Sequence, residues 1–253
     1  MGSLTRRFPF LRWSFIRMGL GMKRLTTEWQ VGDGREEALR DYVLAEVPAG
    51  DLDAAIAGVD EFAYNRKFLI NVGDEKGEIL DAAIRRAEPS RLLELGTYCG
   101  YSALRTVRAM PAGAHLYSIE FNADNAEIAR SILSHAGVDD HVTVVVGTLG
   151  DGGVTIAALE SEHGFGPGAL DFAFLDHAKE AYLPDLERIV EHGWLHPGSV
   201  VVADNVKLPG APEYRAHMTE REGRDWRTTE HETHAEYQTL LRDLVLESEY
   251  RGG

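Results

Sequence analysis

Two glycines and two acids between residues 91 and 120 have the types and spacing of a cofactor-binding turn. Residues 91–102 read RLLELGTYCGYS, in which an apolar run ends at Glu94, and Gly96 and Gly100 follow before a helix-like segment. Glycine lets the backbone approach a ligand closely, because it has no Cβ. Glu120 follows roughly 20 residues later, where a ribose-binding carboxylate is expected. The pattern predicts a nucleotide-cofactor site in an α/β sheet.

The acid before the turn indicates which cofactor would bind. A dinucleotide site needs G-x-G-x-x-G with a helix N-terminus aimed at the phosphates, and this turn lacks that pattern. The carboxylate of Glu94 would repel a phosphate and attract a cation, such as the sulfonium and amino groups of S-adenosylmethionine. The turn therefore disfavours an NAD-dependent oxidoreductase. Cys99 lies within the turn, either as a small apolar filler or as a reactive thiol.

Alternating apolar runs and helical patterns position this turn. Strands are predicted over 91–95, 114–119, 142–146, 170–175 and 199–203, with helices over 100–110, 123–136, 151–161 and 180–194. This order predicts a parallel sheet with helices on both faces. Further strands over 226–229 and 237–246 are expected at an edge, with antiparallel pairing. Extra helices are predicted before the sheet, over 35–48, 51–65 and 74–87. The expected fold is a single α/β domain with a seven-stranded, mostly parallel sheet and an antiparallel C-terminal strand.

Hard oxygen ligands follow two neighbouring strands of the predicted sheet. Asp176 follows the fourth strand, and Asp204 and Asn205 follow the fifth. Ligands of open α/β sheets bind outside the carboxyl ends of the strands, where these side chains would hold Mg²⁺ together with water and substrate. Turn and capping chemistry explains either segment alone. Their coincidence at adjacent strand ends favours a metal site.

Three other polar residues have roles that the pattern leaves open. Lys179 is either a solvated surface charge or a general base whose neutral amine is favoured by a nearby divalent cation. His177 and Glu236 are single polar residues to which periodicity assigns no function.

The composition excludes some classes of protein. The 253 residues include 26 basic and 41 acidic side chains, a formal net charge of −15, which argues against a nucleic-acid partner. The chain has one cysteine and so no internal disulfide, which indicates a reducing compartment such as the cytoplasm. A length of 253 residues, with 44% hydrophobic residues, fits one globular domain.

The N-terminal segment differs from the rest of the chain. Residues 1–24 carry six basic side chains and no acid, interleaved with aromatic and aliphatic residues. No apolar run there is long enough for a membrane span or a secretory signal. We expect residues 1–28 to form a basic extension outside the folded domain. Disorder, translation from an upstream start and weak contact with an anionic membrane surface are the alternatives.

Five segments of the chain resemble the catechol O-methyltransferase family. They are NVGDEKG at 71–77, LELGTYCGYS at 93–102, FLDHAK at 174–179, ADNV at 203–206 with the following Pro209-Gly210, and AEY at 235–237. The resemblance runs from about Trp29 to the C-terminus, and five blocks in the same order argue against chance agreement. It implies a Rossmann-like methyltransferase domain over residues 29–253.

The resemblance implies Mg²⁺-dependent transfer of a methyl group from S-adenosylmethionine to one hydroxyl of a catechol. The family's metal ligands fall on Asp176, Asp204 and Asn205, its catalytic lysine on Lys179, and the carboxylate for the second hydroxyl on Glu236. The cofactor contacts fall on Val72, Glu94, Gly96, Tyr98, Ser102, Glu120, Gly147, Asp176 and His177. The substrate contacts fall on Lys179, Asn205, Glu236, Phe68 and Pro209.

Two positions depart from the family's mammalian members, which carry tryptophan where this chain has Ala178 and Phe68. The first packs against the adenine, so cofactor affinity is expected to be lower, and the second walls the substrate, so the preferred catechol is left open. The rival interpretations are a cation-dependent O-methyltransferase acting on another vicinal diol, such as a caffeoyl-type phenol or a secondary metabolite, and a protein that binds the nucleoside without catalysis. The oligomeric state is left open.

Overall fold

Seven β-strands form one sheet in the computed structural model, which describes residues 33–238 and 240–252. The strands are β1 (Arg91–Leu95), β2 (His115–Glu120), β3 (Val142–Val146), β4 (Leu170–Leu175), β5 (Leu195–Ala203), β6 (Trp226–His234) and β7 (Arg242–Tyr250). Their order is β3-β2-β1-β4-β5-β7-β6, with β1 to β5 parallel and β7 antiparallel to both neighbours. The predicted fold class is confirmed.

Helices cover both faces of this sheet. They are α1 (Arg35–Glu46), α2 (Leu52–Asn65), α3 (Gly73–Ala87), α4 (Tyr101–Ala109), α5 (Ala123–His135), α6 (Val154–His163), α7 (Tyr182–Glu191) and α8 (Pro212–Arg221). Successive strand residues point to opposite faces. Leu92 and Phe172 therefore pack in one apolar cluster with the five helices α1 through α5. Leu93 and Ala173 point to the other face and pack in a second cluster with the three helices α6 through α8. Burial on both faces explains why these strands are continuously apolar.

The sequence-based boundaries are confirmed where apolar runs are sharply bounded, and they are wrong elsewhere. The strands over 91–95, 142–146 and 170–175 match β1, β3 and β4. β5 starts at Leu195 rather than 199, so Pro197-Gly198 lies within the strand, where its register with β4 shifts. The Ser199 hydroxyl bridges this irregularity, because it accepts from His196 N at 2.9 Å and donates to the Leu170 carbonyl at 2.7 Å. α8 was not predicted, since it buries little apolar surface.

The loop between β6 and β7 also departs from the prediction. The last strand runs over Arg242–Tyr250 rather than 237–246, and β6 continues to His234 rather than ending at 229. The described residues between them, 235–238 and 240–241, form a loop. The Gln238 side chain closes this loop. Its Oε1 accepts from the backbone N–H groups of Leu240 and Leu241, both at 2.7 Å, and its Nε2 donates to the Ala235 carbonyl at 2.9 Å. The loop carries Glu236 back toward the carboxyl ends of the parallel strands.

The expectations for residues 1–28 concern a segment outside the described residues, as does the domain boundary at residue 29. Among the helices that the structure describes, none combines the length and the apolar character that crossing a membrane requires.

A buried ion pair fixes α3 against α4. Asp81 accepts from Arg105 Nη2 at 2.9 Å and from Arg108 Nη2 at 2.5 Å, and the Asp81 side chain is 3% exposed. Gly77 makes room for this pair, because a Cβ there would lie 2.5 Å from Arg105 Nη1. The contact sets the position of α3, whose first turn contributes to the site described below.

Asp81→Ala is expected to lower the free energy of unfolding by about 3–5 kcal/mol, because it leaves buried guanidinium groups without their carboxylate. Urea denaturation measures the change. Asp53→Ala is the matched control, since Asp53 also faces Arg108, at 3.5 Å, but is 80% exposed. Its effect is expected to stay within about 0.5 kcal/mol. Equal losses in the two variants would contradict the structural role of Asp81.

Candidate active site

The carboxyl ends of four parallel strands bring the predicted site residues to one edge of the sheet. Glu94 lies in β1 and Glu120 ends β2, whereas Asp176 follows β4 and Asp204 follows β5. Hydrogen bonds continue the sheet past the strands, from Asp176 N to the Leu95 carbonyl at 2.9 Å and from Asp204 N to the Leu175 carbonyl at 3.0 Å. The strand order reverses between β1 and β4, which is where open α/β sheets bind ligands.

Glu94 is a buried carboxylate with an unused oxygen. It is 1% exposed, and Ser118 donates a hydrogen bond to its Oε2. Its Oε1 is buried and has no hydrogen-bond partner among the described residues. Burial raises the pKa of Glu94 to about 7, although the hydroxyls of Ser102 and Ser118 oppose the shift. An unpaired buried oxygen is costly, and a ligand ammonium group would satisfy it.

Glu120 is fixed by backbone donors from the neighbouring turns. Its Oε2 accepts from Tyr98 N at 2.8 Å and its Oε1 from Asn122 N at 3.0 Å. Each carboxylate oxygen has a second lone pair, so Glu120 keeps acceptor capacity for ribose hydroxyls. Tyr98 has a positive φ of 49° and donates its hydroxyl to Glu36 at 2.8 Å, which ties the turn to α1.

Packing explains the glycines of the predicted cofactor set. A Cβ on Gly96 would lie 2.2 Å from the Asp176 carbonyl oxygen, and one on Gly147 would lie 2.1 Å from Thr155 Oγ1. Both residues therefore permit close approach of chain segments at the strand ends. Ser102 is 5% exposed near the start of α4.

Lys179 links the ends of β4 and β5. Its Nζ donates to Asp176 Oδ1 at 3.1 Å and to the Tyr182 hydroxyl at 2.6 Å. That hydroxyl in turn donates to the Asp204 carbonyl oxygen at 3.0 Å. Tyr182 is fully buried, so this chain of hydrogen bonds holds the lysine in one place. Lys179 and Asp176 are therefore in direct contact at the end of β4.

His177 is oriented by a second set of contacts at the same edge. Its Nε2 lies 2.8 Å from Asp185 Oδ2, and its ring stacks on that of Tyr182 at 5.0 Å and 26°. Its Nδ1 is buried and has no hydrogen-bond partner in the part of the chain that the structure describes. That nitrogen is available to a ligand, as the predicted cofactor contact requires.

A buried lysine occupies the centre of the acidic side of the site. Lys76, in α3, is 1% exposed, and its Nζ lies 2.8 Å from Asp204 Oδ2, 2.5 Å from Glu236 Oε1 and 3.3 Å from Asp243 Oδ2. Burial alone would lower its pKa, but these carboxylates raise the pKa of Lys76 above its ordinary value. Lys76 is therefore an ammonium ion.

Two of the three acids around Lys76, Asp204 and Glu236, have pKa values displaced in opposite directions. Burial raises the pKa of Asp204 to about 7, although Lys76 opposes the shift. Burial also acts to raise the pKa of Glu236, but Lys76 and the amide of Asn205 outweigh it and hold that pKa below its ordinary value. Asn205 Nδ2 donates to Glu236 Oε1 at 2.8 Å. Glu236 is thus held as a carboxylate that accepts hydrogen bonds.

A pocket of about 300 Å³ opens beside this cluster, between the start of α3 and the loop over residues 235–241. Val72 and Glu236 both line it. Phe68 is 4% exposed, edge-on to Tyr237 with ring centres 6.3 Å apart, so it lies behind this lining residue. Pro209 is exposed in the turn Val206–Gly210, and it is not among the residues that line this pocket.

The residues that fit a hard cation are two carboxylates and an amide. Within the described ranges, no group of three or more histidine, cysteine, aspartate and glutamate side chains could hold a metal ion. Asp176, Asp204 and Asn205 form a different kind of set. The buried Oδ2 of Asp204 has no hydrogen-bond partner among the described residues, even though Lys76 Nζ lies 2.8 Å away. Its free lone pairs fit a metal ligand.

Sequence reasoning missed Lys76, Asp243 and Tyr182. Lys76 belongs to the segment over 71–77, but nothing in its residue type indicates burial, because lysine is rarely buried. Asp243 lies in a strand that was placed too early along the chain. Tyr182 stands at the start of a helix, where an aromatic residue predicts packing rather than a hydrogen bond to a lysine.

This fold and this edge define a class of protein: open α/β domains that hold a nucleoside cofactor and its reaction partner at the carboxyl ends of the strands. Comparison with known proteins identifies the family. The O-methyltransferase family model matches residues 51–221. The chain therefore belongs to the O-methyltransferase family, and it is of the catechol O-methyltransferase type.

Individual relatives support this assignment. A probable O-methyltransferase of Mycobacterium tuberculosis is 61% identical over 235 residues, covering 93% of this chain and all of that protein. Catechol O-methyltransferase B of Danio rerio is 41% identical over 218 residues, covering 86% of this chain and 80% of that protein. The crystal structure of TomG from Streptomyces achromogenes, an O-methyltransferase, shares the fold with a TM-score of 0.65 at 24% identity, over 85% of this chain and 96% of that one.

Glu94→Gln is expected to change the pH dependence of stability. The pKa of Glu94 is about 7 in the folded protein and 4.5 in the unfolded chain. Its contribution to the free energy of unfolding is therefore fully present below pH 4.5 and is lost as the pH rises through 7. Between pH 5 and pH 8 the variant should lose less stability than the unsubstituted protein, by on the order of 2 kcal/mol. Urea denaturation of the ligand-free proteins measures this. Glu162→Gln, at an exposed position, is the control and should behave like the unsubstituted protein.

Proposed function

We propose that the protein transfers a methyl group from S-adenosylmethionine to one hydroxyl of a catechol and that the reaction depends on Mg²⁺. S-adenosylmethionine contacts are assigned to Val72, Glu94, Gly96, Tyr98, Ser102, Glu120, Gly147, Asp176 and His177. Metal ligands are assigned to Asp176, Asp204 and Asn205. Substrate contacts are assigned to Lys179, Asn205, Glu236, Phe68 and Pro209.

One observation carries the proposal. A fixed lysine, a carboxylate held ionised and a set of hard oxygen ligands converge at one edge of the sheet. Lys179 lies 3.1 Å from Asp176, and Glu236 lies 2.8 Å from the amide of Asn205. A vicinal diol offers two adjacent hydroxyls, one of which must lose a proton while the other is held. The site provides a separate group for each task.

The donor half of the proposal rests on the unpaired oxygen of Glu94. A buried carboxylate oxygen with no hydrogen-bond partner among the described residues fits the amino group of S-adenosylmethionine. Glu120 supplies the acceptors for ribose hydroxyls. TomG, which shares the fold, has been crystallised in complex with SAM and is involved in tomaymycin synthesis.

The mechanism follows from where these side chains lie. When bound, S-adenosylmethionine supplies an electrophilic methyl group, and Mg²⁺ supplies positive charge that lowers the pKa of a hydroxyl. Lys179 is assigned as the base that takes the proton from the hydroxyl that is methylated. Glu236 accepts a hydrogen bond from the other hydroxyl and fixes the ring. Alignment of the two reactants at the strand ends is worth on the order of 7–11 kcal/mol over the free bimolecular reaction.

The remaining expectations are consistent with this activity. The partner is a small-molecule acceptor, and a net charge of −15 disfavours nucleic acid. The single cysteine, Cys99, is buried and reduced, which suits a cytoplasmic protein.

The direct test is an assay for a product heavier by one methyl group. The protein is incubated with S-adenosylmethionine, Mg²⁺ and, in parallel, a catechol, a monophenol and a caffeoyl compound, each with and without EDTA. We expect turnover of the catechol that EDTA abolishes, and poor turnover of the monophenol, which lacks the second hydroxyl. Equal rates for phenol and catechol, or full activity with EDTA, would contradict the proposal. A strong preference for the caffeoyl compound would instead identify a different vicinal diol as the acceptor.

Lys179→Ala is expected to lower kcat by about a hundredfold or more, the usual contribution of a general base. Steady-state kinetics with the catechol measures the change. Lys207→Ala removes an exposed lysine from the turn after Asn205 and should leave kcat within about twofold. An unchanged kcat in Lys179→Ala would remove this residue from the role of base.

A further inference from the structure

We infer that Asp243 is a positioning residue that orients the Asn205 amide, so that the carbonyl oxygen of Asn205 faces the cation site. The inference rests on the proposed function, since it concerns the residue assigned as the amide ligand. It also deepens that function, because it gives a role to a buried acid of β7 that is not among the residues assigned to the cofactor, the metal or the substrate.

The first step is the hydrogen bonding of Asn205. Its Nδ2 donates to Glu236 Oε1 at 2.8 Å and to Asp243 Oδ2 at 2.9 Å. A primary amide has two N–H donors, so both are used. The opposite orientation would place the Asn205 carbonyl oxygen against two carboxylate oxygens with no hydrogen between them. These acids therefore determine which way the amide points.

The second step is the rigidity of Asp243. Its side chain is fully buried, and its Oδ1 accepts from the backbone N–H groups of Leu208, at 2.9 Å, and Leu244, at 2.8 Å. Its Oδ2 accepts from Asn205 and lies 3.3 Å from Lys76 Nζ. Four donors around one carboxylate leave it no freedom to turn. Asp243 is thus a better anchor than Glu236, whose side chain is 17% exposed at the pocket.

The third step is the requirement of the cation. A hard cation takes oxygen ligands and is repelled by an amide N–H₂ group. Asn205 adopts a left-handed backbone conformation, with φ 54° and ψ 33°, at the end of β5, so its side chain leaves the strand end in a fixed direction. With both N–H donors turned to the acids, Oδ1 is the atom of this amide that remains for the metal.

Asp243→Asn tests the inference, because it keeps the size of the side chain and changes its donors. The new amide must use its oxygen for the N–H groups of Leu208 and Leu244, so it turns an N–H₂ group toward Asn205. Only Glu236 Oε1 then still favours the original orientation, so the Asn205 amide is no longer held with its oxygen toward the cation. We expect Mg²⁺ affinity to fall by about ten- to a hundredfold, as for other residues that orient metal ligands.

The measurement is titration calorimetry of Mg²⁺ into protein saturated with S-adenosylmethionine, whose own affinity is measured first and should be unchanged. Asp171→Asn is the matched control. Asp171 also accepts from two backbone N–H groups, those of Ser90 and Arg91, but it lies at the opposite end of the sheet. It should leave Mg²⁺ affinity within about twofold.

A second variant makes the test specific for orientation. In Asn205→Asp/Asp243→Asn, the new amide at 243 can donate to the new carboxylate at 205, which presents an oxygen to the cation in either orientation. Mg²⁺ affinity should recover to within about threefold of Asn205→Asp alone. If Asp243→Asn does not fold, this pair of variants replaces it, and a tenfold difference between them would overturn the inference.

The outcomes separate this inference from the function on which it rests. If the unsubstituted protein binds S-adenosylmethionine but no Mg²⁺, both the Mg²⁺ dependence of the proposed function and this inference are wrong. If the unsubstituted protein binds Mg²⁺ and Asp243→Asn binds it equally well, the inference alone is wrong.

Discussion

The ammonium group of Lys76 is the charge on which the acceptor side of the site depends. It lies within 3.3 Å of carboxylates from the end of β5, from the loop after β6 and from β7. Two buried carboxylates and a partly buried one this close would repel one another strongly without a cation between them. Lys76 stands in α3, whose position is fixed by Asp81 and its arginines. The packing of α3 therefore determines where the positive charge of the site lies.

The donor side of the site, around Glu94, has a buried acid with no lysine or arginine beside it among the hydrogen bonds and ion pairs of the described residues. Glu94 is buried with one oxygen unpaired among the described residues, and burial dominates its ionisation. Such a group costs stability in the free protein, as residues kept for ligand binding often do. On the acceptor side, the ammonium group of Lys76 compensates the negative charge of the acids. On the donor side, one oxygen of Glu94 is left for a group of the ligand to pair with. The site thus combines a preformed half with a half that binding completes.

The sequence predicts the sheet well because its strands are buried on both faces. β1, β3 and β4 are apolar runs with sharp ends, so their boundaries follow from residue type. The hairpin of β6 and β7 is less predictable, since its strands mix polar and apolar residues and a glutamine side chain closes the loop between them. Glu236 reaches the site only because of that loop.

The site is partly predictable for a related reason. Acids and amides after parallel strands must share one edge, so Asp176, Asp204 and Asn205 are found by counting strands. Lys76 and Asp243 are not, because their roles arise from burial and from contacts between segments far apart in sequence.

The placement of β7 has a consequence for synthesis of the chain. β7 lies between β5 and β6 although it follows both in the sequence, so β5 has no partner on this side until β7 has been made. A nascent chain that ends at residue 235 would contain the whole donor side, but β5 would expose an unpaired apolar edge. Such edges pair readily with other chains. Ribosome stalling or proteolysis between β6 and β7 would therefore yield a fragment that tends to aggregate.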